Sequence, residues 1–199
     1  MASIPTRMMT VAEFDQLPES PSRSYELRHG ELVEVTHPVL KHVFVQKRLM
    51  ALLDSAGGSG SALMEVGFRP LPEHELRVAD VAYASQRRWS EQDPGGHFHV
   101  PEIVIEVLSP SNTAAEMLDK EQICLENGAE EFWVVDMDRR QVKVSTPDGR
   151  TVAYKSGQNI LLKFGGKLAV DEIFRGQGVV SAARSATSLR SAAHSLASW

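Results

Sequence analysis

The sequence predicts an α/β domain in which a β-sheet is covered by helices on both faces. Both strand-like and helix-like segments occur along most of the 199 residues, as in this class. One strand-like segment, residues 103–108, is apolar at five of its six positions, and such strands usually lie inside a sheet that is covered on both sides. With 42% hydrophobic and 24% charged residues, the chain has the composition of a soluble globular protein.

Local patterns define the elements of the first half of the chain. Thr10 and Glu13 have the capping-box spacing that begins a helix, and the His29–Gly30 pair lies where a hairpin turn is expected. The predicted elements are a helix over 10–17, a β-hairpin over 25–35, an amphipathic helix over 39–54, a glycine-rich loop over 57–61, and strands over 62–69 and 75–84.

The second half contains the same two kinds of segment. Thr113 and Glu116 form another capping box, and Gly128 is a typical residue to end the helix that they begin. The predicted elements are a polar loop over 86–99, a strand over 103–108, a helix over 113–127, strands over 131–136, 141–146 and 150–155, and two segments over 158–164 and 168–174 that complete the compact part.

The composition changes after the last of these segments. We therefore expect a domain over 1–175 and a Ser/Ala-rich C-terminal extension over 176–199. Six apolar residues of the extension recur at intervals of three and four, which favours a helix that docks on the domain or on a second subunit. A loosely ordered tail is an equally good interpretation.

Composition also excludes several classes of protein. The net charge is −5, so a nucleic acid would have to meet a local basic patch. The single cysteine, Cys124, excludes an intrachain disulfide framework and a cysteine-based zinc site, and it fits a reducing cytoplasm. No signal peptide is predicted, and no segment approaches the roughly 20 apolar residues of a membrane helix.

The most informative residue is Glu106, a carboxylate in the middle of the apolar strand. Burying an ionised carboxylate costs several kcal/mol unless it is paired or binds a metal, so its position needs a chemical reason. Strand alternation places Asp80 on one face with small apolar neighbours such as Ala82. Lys120 has helical spacing with two apolar residues and therefore points along their face of the helix.

Together these residues suggest a chemistry that none indicates alone. If their strands are neighbours, Asp80 and Glu106 converge into a hard-oxygen site suited to Mg²⁺, with Lys120 as a cation beside it. Such a site hydrolyses phosphodiesters, because the metal activates a water while the lysine stabilises developing charge or helps to deprotonate that water. Taken singly, Asp80 is more simply an edge or capping residue, and Lys120 a solvated helix residue.

Six motifs follow one another along the chain, namely Thr10–Phe14, Tyr25–Val33, the helix with His42, Ile105–Thr113, Asp119–Lys120 and Asn127–Asp136. In this order and with this spacing they resemble a large bacterial family of restriction-endonuclease-like proteins of the PD-(D/E)XK nuclease superfamily. The resemblance covers residues 8–175. It implies a restriction-endonuclease-like core, a central mixed β-sheet flanked by helices, with additional N-terminal and C-terminal antiparallel hairpins.

The resemblance also implies roles for individual residues. Asp80 and Glu106 are the implied catalytic acids and metal ligands, the carbonyl of Val107 is a further metal ligand, and Lys120 is the catalytic lysine. In many relatives that lysine lies two residues after the acid, where this chain has Leu108. Lys120 on the following helix takes its place.

Two further residues, Glu26 and His42, match recurrent positions of the family, which implies that they line the site. A purely structural role is the alternative for each. The chain departs from the family at Ala79, where a proline is usual, and at Cys124, where a tyrosine is usual. Neither departure removes a catalytic group.

The expected function is therefore Mg²⁺-dependent cleavage of DNA by a cytoplasmic endonuclease, with Mn²⁺ as a substitute ion. Because one site per subunit needs two subunits to cut both strands at once, a homodimer is the expected assembly. The alternative is a catalytically inactive nucleic-acid-binding or scaffold protein on the same fold, which the acidic net charge favours. Action on RNA or on a small phosphate ester is a third candidate.

Overall fold

The computed structural model describes residues 7–18, 24–35 and 39–176. From residue 177 on, the predicted C-terminal extension lies outside the described residues. The elements in chain order are α1 (Val11–Phe14), β1 (Ser24–Arg28), β2 (Glu31–Val35), α2 (Leu40–Ser55), β3 (Gly60–Phe68), β4 (Arg77–Ser85), α3 (Gln86–Ser90), β5 (Ile103–Val107), α4 (Ala114–Glu126), β6 (Glu131–Asp136), β7 (Gln141–Ser145), β8 (Thr151–Tyr154), β9 (Asn159–Leu161), β10 (Lys167–Ala169) and α5 (Val170–Ile173).

A six-stranded mixed sheet forms the centre of the domain, with the strand order β3-β4-β5-β6-β7-β8. Strands β5 and β6 run parallel and are joined through α4, since a parallel pair needs a long crossover connection. The other neighbouring strands of this sheet are antiparallel. Two antiparallel hairpins, β1–β2 and β9–β10, lie beside it. The predicted mixed sheet and both additional hairpins are confirmed.

Helices cover both faces of this sheet. Helix α2 packs on one face, where Leu49 joins Ile105 in one buried cluster. Helix α4 packs on the other, where Cys124 joins Val104 in a second cluster. All five residues of β5 are buried, as the apolar composition predicts. Within the described ranges, no helix has the length and apolar character needed to cross a membrane.

The capping boxes begin their helices as predicted. The Thr10 side chain accepts a hydrogen bond from the Glu13 amide at the start of α1, and Glu13 caps Thr10 in return. At the start of α4, the Glu116 amide donates to Thr113 Oγ1 at 3.2 Å, and the Thr113 amide donates to Glu116 Oε2 at 3.0 Å. The second box fixes the first turn of the helix that carries Lys120.

Replacing Thr113 by alanine is expected to lower the free energy of unfolding by about 1 kcal/mol, because one amide of the first turn of α4 loses its partner. Urea denaturation would measure this loss. Thr113→Ser keeps the hydroxyl and is the matched control, for which we expect a smaller change. Equal losses for serine and alanine would contradict the capping explanation.

The predicted helix over 10–17 is shorter, since α1 ends at Phe14, and two other segments also differ from the predictions. Strand β3 begins at Gly60, inside the predicted loop over 57–61. The predicted polar loop over 86–99 begins with the short helix α3, whose N-cap is Ser85. Both differences lie at element ends, where pairing with β4 and a serine cap decide the local structure.

Candidate active site

The candidate site lies where β4 and β5 separate, beside a cavity of about 400 Å³. The last described pair of these two strands is Val81 with Ile105. One residue farther, the same register places Asp80 opposite Glu106, and both side chains line the cavity. There the Val107 amide donates to Asp80 Oδ2 at 2.7 Å. Strands β4 and β5 are therefore neighbours, as the predicted convergence of Asp80 and Glu106 required.

Lys120 projects from α4 into this site and is 4% exposed. Its Nζ donates to the carbonyl of Val78 at 2.6 Å. The same Nζ lies 2.9 Å from Glu106 Oε1 and 3.3 Å from Glu26 Oε1. One buried ammonium group is therefore shared between two buried carboxylates.

The protonation states of these groups follow from their burial and their pairing. Burial raises the pKa of Glu106 to about 8; Lys120 opposes this shift, while Asp80 adds to it. Burial lowers the pKa of Lys120, but Glu106 and Glu26 outweigh burial and hold the pKa above its ordinary value. Burial raises the pKa of Glu26, but Lys120 and Arg28 outweigh burial and lower it. At neutral pH, Lys120 is charged and pairs with ionised Glu26, while Glu106 retains a proton.

Helix α2 contributes two buried side chains to the other side of the site. His42 Nε2 lies 3.0 Å from Asp80 Oδ2. Gln46, one helical turn later, donates through Nε2 to Asp80 Oδ1 at 3.1 Å. The predicted alternation is wrong here, because Ala82 packs on the α4 side of the sheet while Asp80 contacts α2.

Glu65 on β3 explains why Asp80 departs from the alternation. The β3–β4 ladder is formed on both sides of Glu65 and Asp80 but not at this pair. Glu65 has φ 52°, in the left-handed region, which costs a residue other than glycine about 1–2 kcal/mol. Its carboxylate accepts a hydrogen bond from Gln46 Nε2 and lines the cavity. The interrupted pairing frees the backbone around Asp80 from the regular pleat.

Charged pairs hold α4 in place in the turn before its lysine. Arg28 on β1 donates to Glu26 at 2.7 Å and to Glu116 on α4 at 2.8 Å. Arg77 on β4 is 1% exposed and donates to Asp119 on α4 at 2.9 Å. The N-terminal hairpin and the central sheet therefore fix the helix that positions the ammonium group.

The structure places the predicted site residues in two contact groups on neighbouring strands: Lys120 contacts Glu106 and Glu26, and Asp80 contacts His42 and Val107. Sequence reasoning missed Gln46, Glu65 and the carbonyl of Val78. For Gln46 a signal exists, since it follows His42 by one turn on the buried face of α2. The catalytic and ligand roles of the predicted residues stay predictions.

The donor set fits a Mg²⁺ ion. Within residues 7–18, 24–35 and 39–176, no three His, Cys, Asp or Glu side chains are placed to hold one metal ion. Mg²⁺ is often bound through only one or two carboxylates, because it keeps several waters. Asp80 and Glu106 supply two hard-oxygen donors, and Glu106 holds a proton that a cation can replace.

The chain is similar to known nuclease-like proteins. The model of the Uma2 family, described as "Putative restriction endonuclease", matches residues 11–180. A solved structure of a putative nuclease belonging to DUF820 from Anabaena variabilis ATCC 29413 is 21% identical, with a TM-score of 0.71 over 83% of this chain and 97% of that chain. This likeness shows the fold. No curated protein matches the chain. Because the family model spans most of the sequence, the protein belongs to the Uma2 family.

Proposed function

We propose that this protein is a Mg²⁺-dependent endonuclease that hydrolyses DNA phosphodiester bonds. The nuclease-like character of its family supports the reaction class. The observation that carries the proposal is the convergence of Asp80, Glu106 and Lys120 on one open cavity, with Lys120 Nζ 2.9 Å from Glu106 Oε1. DNA is the proposed substrate, and RNA and small phosphate esters are the alternative substrates to be tested.

Lys120 supplies a fixed positive charge in this proposal. Its raised pKa keeps the ammonium protonated at neutral pH, and the Val78 carbonyl holds it at 2.6 Å. A general base works best with a pKa near the operating pH, so Lys120 is poorly suited to deprotonate water. A preorganised cation instead stabilises the negative charge that develops on the phosphate oxygens.

Asp80, Glu106 and the Val107 carbonyl are the proposed ligands of the Mg²⁺ ion. When bound, the ion lowers the pKa of a water and polarises the phosphate. The Asp80 carboxylate is held by the Val107 amide at 2.7 Å and by Gln46 at 3.1 Å, so it keeps one orientation. Hydrolysis adds one water across a P–O bond and leaves a phosphate monoester and a free hydroxyl.

Replacing Asp80 by asparagine is expected to slow DNA cleavage at least about a hundredfold, because a lost ligand removes several kcal/mol of transition-state stabilisation. The assay would follow nicking of supercoiled plasmid and degradation of single-stranded DNA with Mg²⁺ or Mn²⁺. Asp138→Asn is the control, since the Asp138 side chain is 93% exposed and its ion pair with Lys41 is 3.4 Å long.

Three outcomes decide the proposal. Cleavage that fails in Asp80→Asn and persists in Asp138→Asn supports it. Equal cleavage by all three proteins places the activity elsewhere. If the wild type binds DNA but cleaves no DNA, RNA or phosphate ester, the protein is a nucleic-acid-binding scaffold on this fold, and the proposed activity is wrong.

A further inference from the structure

We propose that the outward face of α2 holds an unpaired DNA strand as it enters the candidate site. This face consists of Leu40, Phe44, Lys47 and Arg48, and we call it the α2 platform. A base of the strand would stack on the Phe44 ring, and the two cations would bind the phosphates beside it. The inference rests on the proposed function, because it names the form of DNA that the nuclease would take.

The exposed ring of Phe44 is the first observation. Phe44 is 60% exposed, and it is the one exposed aromatic residue among residues 7–18, 24–35 and 39–176. Its ring makes no stacking or cation–π contact within that part of the chain. Leu40, one turn earlier on the same face, is 69% exposed. Large apolar side chains that gather on a surface mark a site of interaction.

The charge of α2 favours a nucleic acid as the partner. Lys47 and Arg48 lie three and four residues after Phe44, so both are its neighbours on the helix surface. From Leu40 to Leu53 the helix carries three basic residues and no acidic one, in a chain whose net charge is −5. Arg48 is held in place, because its Nε donates to the carbonyl of Glu172 at 3.0 Å. The platform is therefore the local basic patch that a nucleic acid requires on an acidic protein.

A second copy of the chain is a poorer match for this face. A two-fold interface pairs the same surface patch on both subunits. It would bring Lys47 and Arg48 of the two copies together, with no acidic residue in the platform to neutralise them. The phosphates of DNA supply the opposite charge.

The ring favours an unpaired strand over a duplex. In a duplex each base is stacked between its neighbours, so a ring on the protein surface finds no free base face. The candidate site is also enclosed, since its cavity has a volume of about 400 Å³ and Glu106 is 6% exposed. A single backbone can bring a phosphate to such a buried group without a second strand in the way.

The platform begins at the mouth of this cavity. Val39, the N-cap of α2, is 60% exposed and lines the cavity. On the inner side of the same helix, His42 Nε2 lies 3.0 Å from Asp80 Oδ2. Phe44 follows Val39 by five residues, about 7.5 Å along the helix axis. A strand with one phosphate at Asp80 can therefore place a nearby base on Phe44.

Fluorescence anisotropy with the full chain in EDTA tests the inference, because binding is then measured without cleavage. The probes are a labelled single strand of oligothymidine, its duplex with oligoadenosine, and an abasic strand of the same length. We expect the single strand to bind most tightly. Phe44→Ala should weaken that binding about 5- to 150-fold, the usual effect of losing one stacked base, and should leave binding of the abasic strand unchanged.

Three further variants separate stacking from other contacts. Phe44→Leu keeps an apolar side chain without a flat ring, so it should lose as much affinity as alanine, whereas Phe44→Trp should keep it. Leu161→Ala is the control and should bind like the wild type, since Leu161 is 73% exposed on β9. Lys47→Gln should reduce the slope of log affinity against log salt concentration by about 0.7, the value for one phosphate contact on a single strand.

The outcomes separate this inference from the proposed function. If Phe44→Ala binds the single strand like the wild type, or the wild type binds the duplex as tightly, the inference is wrong and the proposed nuclease is untouched. If Phe44→Ala converts a dimer into a monomer in sedimentation and leaves DNA affinity unchanged, the platform is a subunit interface and the inference is again wrong. If the strand binds as expected but no nucleic acid is cleaved, the platform stands and the nuclease does not. A wild type that neither binds nor cleaves nucleic acid would overturn both.

Discussion

Replacement of Lys120 by methionine is expected to slow cleavage by about 10²–10³-fold or more, because a preorganised charge at the reacting phosphate is lost. We also expect a loss of about 3–5 kcal/mol of stability at pH 8, the usual result of removing one partner of a buried ion pair. Glu26 and Glu106, 2% and 6% exposed, would lose the ammonium group that they share. Urea denaturation measures the second effect, and plasmid nicking well below the Tm measures the first.

The loss of stability should be smaller at pH 5 than at pH 8. At the lower pH, Glu106 holds a proton whether or not Lys120 is present, so less buried charge is left unpaired. Lys41→Met is the control, because Lys41 makes an exposed pair with Asp138, and such pairs contribute about 0–1 kcal/mol. A Lys120→Met protein that unfolds like the wild type at pH 8, or that cleaves within tenfold of it, would contradict the role assigned to Lys120.

The parts of this fold that could be predicted from the sequence depend on residues that lie close together in the chain. The capping boxes at Thr10 and Thr113 need only a partner three positions away, so both helix starts could be predicted. The strand around Glu106 could be predicted because its other four residues are apolar. All five residues are buried in the structure. Glu106 itself stood out because burying an ionised carboxylate in such a strand carries a large free-energy cost.

The site residues that could not be predicted from the sequence depend on contacts that no local pattern encodes. Gln46 meets Glu65 and Asp80 only after α2 packs against β3 and β4. The left-handed backbone at Glu65 has no signal in the sequence, since glycine or asparagine is the usual residue there. For the same reason the simple alternation of β4 gave the wrong face for Asp80.

The charged pairs around α4 show the same limit. Arg28 and Glu116, or Arg77 and Asp119, are far apart in the chain and come together only in the folded domain. Each of these residues alone is an ordinary charged residue on a strand or helix. The sequence therefore indicated which residues meet at the candidate site, but not how their positions are fixed.

Glu106→Gln is expected to make the metal-free protein less sensitive to pH between about 5 and 8. The folded-state pKa of Glu106 is raised from 4.5 to about 8, so in this window the folded protein holds a proton that the unfolded chain has released. Stability of the wild type therefore falls as pH rises through the window and levels off above it. At 1.36 kcal/mol per pKa unit, the free energy of unfolding of the variant, relative to that of the wild type, should rise by about 3–4 kcal/mol from pH 5 to pH 8.

The change in stability on addition of Mg²⁺ distinguishes a metal ligand from a buried acid that binds no metal. At pH 8, an ion at a hundred times its Kd should stabilise the wild type by about 2.7 kcal/mol and leave Glu106→Gln much less changed. Glu131 is the matched control, because burial also raises its pKa, while its carboxylate binds the Trp133 indole at 2.8 Å away from the site. Glu131→Gln should likewise weaken the pH dependence but keep the full response to Mg²⁺. If Mg²⁺ stabilised Glu106→Gln as strongly as the wild type, Glu106 would be a buried acid without a metal, and the charge in the apolar strand would again lack a chemical reason.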